Sequence, residues 1–456
     1  MSDRSLTRGS VSGAVLTVSA PMTLGILGVL AVGLADAYFL ARVGRTQLAA
    51  VGYIYPVTVS VTSLSIGLAA GANAALSQSI GRGTSEDDTH RMAIHALGLG
   101  LVVGLLVGAA LWLLQGTIFG LIGASGPVTG EIADYVFWWA MSFPFLVLSM
   151  LVGAIFRARG DGVTASVIMF NQAVTNIVLD PLLIFGTGPF PEMSTGGAGL
   201  ATFLARVGAT VGGLWWARRK GHLSTARNPL EQIVSSVRKI GGVGLPASVS
   251  NAINPAGMAV VTAAVSILGE AAVAGFGAAT RVQSLAIVPL LALSAGIGPV
   301  VGQNWGAGQQ GRARMAVRVT FLMCLGYGAG VGGVLILLAD QIAGAVAATS
   351  EDAAIAATYL RIVGLSLFGY GVLVTGNAAM NARSRAVWSM GMSAGRIFLV
   401  YVPLAWILME SFGFTGIAAA AATANVAAAV AMIGATWATG LSPLPGRSAP
   451  AAVAGE

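Results

Sequence analysis

Residues 92–114 read MAIHALGLGLVVGLLVGAALWLL, a run without Asp, Glu, Lys or Arg in which His95 is the one ionisable side chain. An α-helix rises about 1.5 Å per residue, so about 20 such residues cross the hydrocarbon of a bilayer. The stretch predicts a membrane-spanning helix. Gly98, Gly100, Gly104 and Gly108 fit that reading, because glycine is more frequent in membrane helices than in soluble ones. Working outward, the same pattern recurs at about 14–40, 47–80, 131–156, 163–185, 197–217, 240–268, 273–302, 316–338, 354–380, 386–409 and 414–438. Twelve spans with short connections use most of the 456 residues and leave no room for a sizeable soluble domain.

Composition agrees. Apolar residues make up 56% of the chain and charged residues 9%, against about 25% charged in an average soluble domain. A soluble enzyme is excluded, and so is a disordered chain, which has the opposite balance. The 24 Lys and Arg exceed 17 Asp and Glu, but they sit in short clusters between apolar stretches, so no nucleic-acid partner is expected. The single Cys324 lies in an apolar run and offers neither a disulfide framework nor a thiolate metal site. Met1 to Ser12 is too weakly patterned, and the apolar stretch after it too long, for a cleaved signal peptide.

An even number of spans puts both termini on one side. With a cytoplasmic amino terminus, that face receives Arg4, Arg8, Arg82, Arg91, Arg157, Arg159, Arg218, Arg219, Lys220, Arg227, Arg238, Lys239, Arg312, Arg314, Arg318, Arg383, Arg385 and Arg447. The other face receives Arg42 and Arg45. Eighteen against two is a strong positive-inside bias, and a wrong span count would scatter it. The expected location is therefore the cell membrane, multi-pass, with both termini cytoplasmic; in a bacterium this is the inner membrane.

The chain also repeats itself. An offset of 225 aligns Pro21 with Pro246, Gly71 with Gly296, Gln78 with Gln303, Gly81 with Gly306 and Gly83 with Gly308. Six spans followed by six predicts two six-helix bundles in one orientation, related by a pseudo-two-fold axis along the membrane normal. That is a transporter architecture. The expected division is an amino-terminal lobe, 1–220, and a carboxy-terminal lobe, 221–456, joined by a basic linker at about 218–239.

The residues resemble a known family at several points. The stretch Asp36-Ala37-Tyr38-Phe39-Leu40-Ala41-Arg42-Val43-Gly44, the string Gly302-Gln303-Asn304-Trp305-Gly306-Ala307-Gly308, the span-five Asn176-x-x-x-Asp180-Pro181 and the span-six Gly199-x-Ala201-Thr202 together resemble the MATE (multidrug and toxic compound extrusion) transporters. The resemblance covers about 15–438 and implies export of organic, mostly cationic compounds in exchange for protons or sodium ions. It is to the branch with acids in the amino-terminal lobe, DinF-like rather than NorM-like, because spans seven and ten contain no acid. The resemblance carries cation coupling to Asp36, Asn176 and Asp180, and places Thr202 in the same cavity. If sodium is the coupling ion, Asp36, Asn176 and Asp180 are its ligands; otherwise neither metal nor cofactor is expected.

The residues support a version of this on their own. Asp36 and Asp180 are the acids well within apolar segments, and a carboxylate at membrane depth costs at least about 2.5 kcal/mol on insertion scales. Such a residue normally faces a cavity or a partner. Gln172, Asn176 and Asp180 share one helical face at i, i+4 and i+8, and Thr202, Arg206 and Thr210 repeat that spacing on span six. Interhelical hydrogen bonding alone also explains such stripes. Tyr38, Tyr135 and Trp139 with Gln172 and Arg206 are the candidate substrate lining, aromatic rings being suited to lipophilic cations. Arg206 leaves an anionic substrate open, whereas Arg281, Arg361 and Arg396 stand at places where the resembled family often has arginine, and the resemblance implies a structural role for them.

Two other functions compete with this reading. A membrane-embedded enzyme lacks a catalytic set, since His90, His95 and His222 lie at the cytoplasmic side and no HExxH is present. A flippase for lipid-linked oligosaccharide, of the same superfamily, is kept alive by the extra arginines. The expected partners are small organic substrates and membrane lipid, with the protein a monomer.

Overall fold

The computed structural model describes residues 6–224, 226 and 228–444; Arg4, Arg227 and Arg447 of the basic tally lie outside them. Among the described residues the fold is all-helical. The first half contains α1 (Val11–Val43), α2 (Arg45–Gly81), α3 (Glu86–Leu121), α4 (Val128–Ala158), α5 (Gly162–Ile184) and α6 (Ser194–Arg219). The second contains α7 (Ile233–Ile267), α8 (Glu270–Ala286), α9 (Val288–Gly306), α10 (Gln310–Leu337), the short α11 (Ala339–Val346), α12 (Ser350–Gly364), α13 (Leu367–Ala382) and α14 (Ala386–Ala394). A π-helical stretch (Gly395–Tyr401) then leads into α15 (Val402–Ala438).

These elements resolve into the twelve spans. Two spans are bent pairs, α8 with α9 at 41° and α12 with α13 at 58°. The run Ala386–Ala438 has 53 residues, which at about 1.5 Å each is more than twice the hydrocarbon thickness. It divides at Gly413, whose φ of 55° and ψ of −137° leave the helical region. The bends were not visible as apolar windows. Pro289 near the start of α9 is the sequence signal for the first, because proline is favoured where a helix begins.

α3 shows how the opening stretch folds. Gly100, Gly104 and Gly108 recur every fourth residue and form one face pressed onto α4: a Cβ at Gly104 would lie 2.6 Å from the backbone of Pro144. Leu105, Leu106 and Leu113, on the other side, are 54%, 66% and 70% exposed, which suits hydrocarbon and not water.

The chain packs as two compact units. One is Pro21–Ser248; the other comprises residues 6–20 together with 249–444. The packing division thus falls at Ser248 and not in the expected linker at 218–239. Glycine contacts give the reason. A Cβ on Gly71 of α2 would lie 2.2 Å from the Ile240 carbonyl and 2.9 Å from the Gly244 nitrogen, so the start of α7 packs into the first unit. In the second unit a Cβ on Gly296 of α9 would lie 2.0 Å from Ser19 Oγ and 2.9 Å from its nitrogen, so the start of α1 packs there. Gly71 and Gly296, and likewise Ser19 and Gly244, are 225 apart: the sequence repeat is also a packing repeat.

The linker itself is pinned to α3. Arg91 pairs with Asp87, Asp88 and Glu231, and His95 Nε2 donates to the Pro229 carbonyl at 2.7 Å. Arg82, Arg157, Arg159, Arg218, Arg219, Lys220, Arg312, Arg314, Arg383 and Arg385 lie at or next to helix ends, as do Arg42 and Arg45 at the α1–α2 junction.

Candidate functional site

Within the first unit, α1, α4, α5 and α6 converge on a polar cluster. Small residues allow the approach. A Cβ at Gly28 of α1 would lie 3.1 Å from Ala173 of α5, and two turns further along these helices stand Asp36 and Asp180. Gly197 lies against the Leu183 backbone, and Gly199 against the carbonyl of Tyr135, where a Cβ would come within 2.8 Å. α6 is thereby held between α5 and α4, with Thr202 facing both.

Asp36 and Asp180 come within hydrogen-bonding reach of each other. Asp180 is fully buried and Asn176 nearly so, while Asp36 is partly exposed. Asn176 Nδ2 donates to Asp180 Oδ1 at 3.4 Å and to Thr202 Oγ1 at 3.3 Å, and Thr202 also contacts the buried Tyr135 hydroxyl. Three oxygens are left over: Asp36 Oδ1, Asp180 Oδ2 and Asn176 Oδ1 are buried without a hydrogen-bond donor. A buried acceptor left unpaired costs about 1–3 kcal/mol, and a charged one more, so three together mark a place built for something else.

Arg206 lies close enough to act on Asp36 through its charge, but it does not pair with it directly among the described residues. Its Nη1 donates to Ser142 Oγ at 2.6 Å, and its Cζ lies 5.0 Å from the centre of the Trp139 ring. Ser142 in turn donates to the Trp139 carbonyl. The guanidinium is thus held near Asp36 by Ser142 and Trp139 and acts on the carboxylate through its charge without a direct ion pair.

The structure therefore brings together Asp36, Asn176, Asp180, Thr202, Arg206, Tyr135 and Trp139. Gln172 is half-buried one turn from Asn176 on the same face of α5. Tyr38 is not in the cluster. Two residues beyond Asp36 it points to the opposite side of α1, is 57% exposed, and lies under Arg42 at 5.8 Å. α5 continues through Pro181 to Ile184. Among the described residues no group of three or more His, Cys, Asp or Glu is placed to hold a metal ion.

Two features escaped the sequence reading. Ser142 is one. The other is Glu131, near the start of α4, which accepts from Gln47, Ser194 and Thr195 and so fastens α2, α4 and α6. Its partners are spread over more than 140 residues, a separation at which no spacing rule operates.

A family profile, MatE, matches this chain twice, at residues 21–182 and 246–407. The chain belongs to the MatE family. The two matches are offset by the same 225 residues as the repeat. Among relatives, this MatE chain is 30% identical over 434 residues to the "FAD transporter" of Shewanella oneidensis, covering 94% of this chain and 96% of the relative. It is 26% identical to the "Multidrug resistance protein PmpM" of Pseudomonas aeruginosa, with 84% and 82% covered, and 22% identical to the "Multidrug export protein MepA" of Staphylococcus haemolyticus, with 90% and 89% covered. The crystal structure of the Vibrio cholerae MATE transporter VcmN in the bent form matches with a TM-score of 0.87 at 26% identity, covering 93% of this chain and 96% of VcmN. These relatives are transporters, not enzymes.

Proposed function

We propose that this MatE protein is a secondary active antiporter that exports organic compounds in exchange for a proton or a sodium ion carried by Asp36 and Asp180. The observation that carries the proposal is the set of three unsatisfied buried oxygens on Asp36, Asp180 and Asn176. Two carboxylates in contact away from water cannot both keep a full negative charge uncompensated. A proton turns one of them into a donor for the other. A sodium ion would instead meet hard oxygens from both carboxylates, the Asn176 amide and the Thr202 hydroxyl, the donor type small hard cations take. Either ion competes with a cationic substrate for the same negative charge, and that competition is exchange.

The names of the PmpM and MepA relatives support multidrug efflux, and the Tyr135 and Trp139 rings suit lipophilic cations. A second reading, an anionic substrate, is favoured by Arg206 and by the relative named a FAD transporter. Acids confined to the first lobe's spans support the DinF-like branch. The charge bias supports a cell-membrane protein with both termini cytoplasmic, a monomer whose partners are its substrates and lipid.

The test is accumulation of a fluorescent lipophilic cation such as ethidium in liposomes, with a proton or a sodium gradient imposed separately. Accumulation driven by one of these gradients is expected. Equal accumulation with and without both gradients would contradict antiport.

A further inference from the structure

The second unit holds a polar cluster of the opposite sign. Arg396 is the second residue of the π-helical stretch Gly395–Tyr401, a helix type that occurs frequently at functional sites. Its Nη1 donates to Asn254 Oδ1 on α7 at 3.0 Å, and its Nε to Asn425 Oδ1 on α15 at 3.1 Å. Asn425 Nδ2 donates to Ser366 Oγ at the α12–α13 bend, and the Tyr370 ring lies 5.4 Å from the guanidinium. Every one of these neighbours is neutral. Among the described residues Arg396 has no ion-pair partner, and its Nη2 makes no hydrogen bond.

A guanidinium carries five N–H donors, and this one uses two of its three nitrogens on side-chain amide oxygens. Those oxygens fix its plane and leave its charge uncompensated. Buried charges are ordinarily paired, because removing an unpaired ion from water costs several kcal/mol. Arg396 is instead held rigid and only partly covered, as a receptor for an oxyanion would be. The repeat sharpens the contrast. At the 225 offset the acids Asp36 and Asp180 correspond to Val261 and Ala405, and Arg396 corresponds to Asn171. The second copy carries apolar residues where the first has its two carboxylates, and a cation where the first has an amide.

We propose that the Arg396 cluster is a recognition site for the phosphate or carboxylate of an organic anion carrying an aromatic ring, with Arg396 on the anion and Tyr370 offering a face to the ring. This deepens the transport reading above and rests on it. The amides of Asn254 and Asn425 are positioning residues.

The experiment measures equilibrium binding to the purified full-length protein without any gradient, so it is independent of ion coupling. FAD and riboflavin are the probes, sharing a ring system and differing in phosphate. FAD is expected to bind more tightly than riboflavin. Arg396→Gln should weaken FAD by about 10- to 100-fold, the range of a hydrogen bond to a charged group, and leave riboflavin and ethidium unchanged. Arg396→Lys, which keeps the charge and loses the fork, should fall between. Equal binding of FAD and riboflavin by the parent would overturn the site, and so would equal loss of all three probes in both variants, which is the mark of a structural pin. Gradient-driven ethidium transport is expected to survive in Arg396→Gln, so a contrary binding result overturns this inference and leaves the antiport reading standing.

Discussion

Individual side chains of the first unit divide into those that hold it together and those proposed to take part in exchange. Asp161 belongs to the first group. It caps α5, accepting from the Thr164 N–H and hydroxyl and from Lys220 Nζ at 2.7 Å. Burial works against its charge, but Lys220 and Thr164 outweigh that and hold the carboxyl below its usual range. Its folded-state value is depressed, so its stabilisation is present above the ordinary carboxylate value of about 3.9 and is lost as pH falls through the lowered one. Asp161→Ala should lower stability at pH 7 by about 1 kcal/mol, the usual worth of a cap, and Asp161→Asn by less because an amide oxygen still caps. Thermal denaturation in detergent should show the difference between parent and Asp161→Asn shrinking below about pH 4. Thr202 sits between the groups, accepting from Asn176. Thr202→Val should cost about 1 kcal/mol of thermal stability with shape retained, and Thr202→Ser should restore it. A serine variant as weak as valine would place the hydroxyl elsewhere.

At the scale of helices, hydropathy and charge made the twelve spans legible, because a bilayer demands long apolar runs and a sidedness signal. The polar cluster was legible for a similar reason: Asp36 and Asp180 stand out as charges where charge is expensive, and i, i+4, i+8 spacing aligned Gln172, Asn176 and Asp180 on one face. What escaped was set by neighbours distant in sequence. The breaks after Ala286 and Gly364 leave apolar windows intact, and the π-helical turn at Arg396 has no compositional sign. Arg396 read as structural from its place in the family resemblance, and Asn254 and Asn425, which orient it, lie 142 and 29 residues away, beyond any spacing rule. Tyr38 stands apart from the polar cluster, because two residues along a helix is the far side. The helix-packing repeat gives a paired prediction. Gly71→Val and Gly296→Val each drive a side chain into the backbone of the opposing helix start, and overpacking of this kind costs about 1–3 kcal/mol. Both should lower thermal stability, whereas Gly98→Val, at a position with open space, should not. An unaffected Gly71→Val protein would mean that α2 and α7 are not in contact there.

The whole molecule is a duplication whose copies kept their packing and diverged in charge. Gly71 and Gly296 seat the repeat-related starts of α7 and α1 in the same manner, while the carboxylates at membrane depth, Asp36 and Asp180, stand in one unit, and Arg396, without an ion-pair partner among the described residues, stands in the other. Membership in the MatE family makes it a transporter, and the acidic cluster is where ion and substrate are proposed to compete. The measurement that bears most directly on this is gradient-driven ethidium accumulation in liposomes by Asp36→Asn and Asp180→Asn beside the parent. Each substitution keeps the size of the side chain and removes the charge that a proton or sodium ion must balance. Coupling through this pair requires that either change abolish accumulation against a gradient while the proteins remain folded. Full activity in both variants would contradict it.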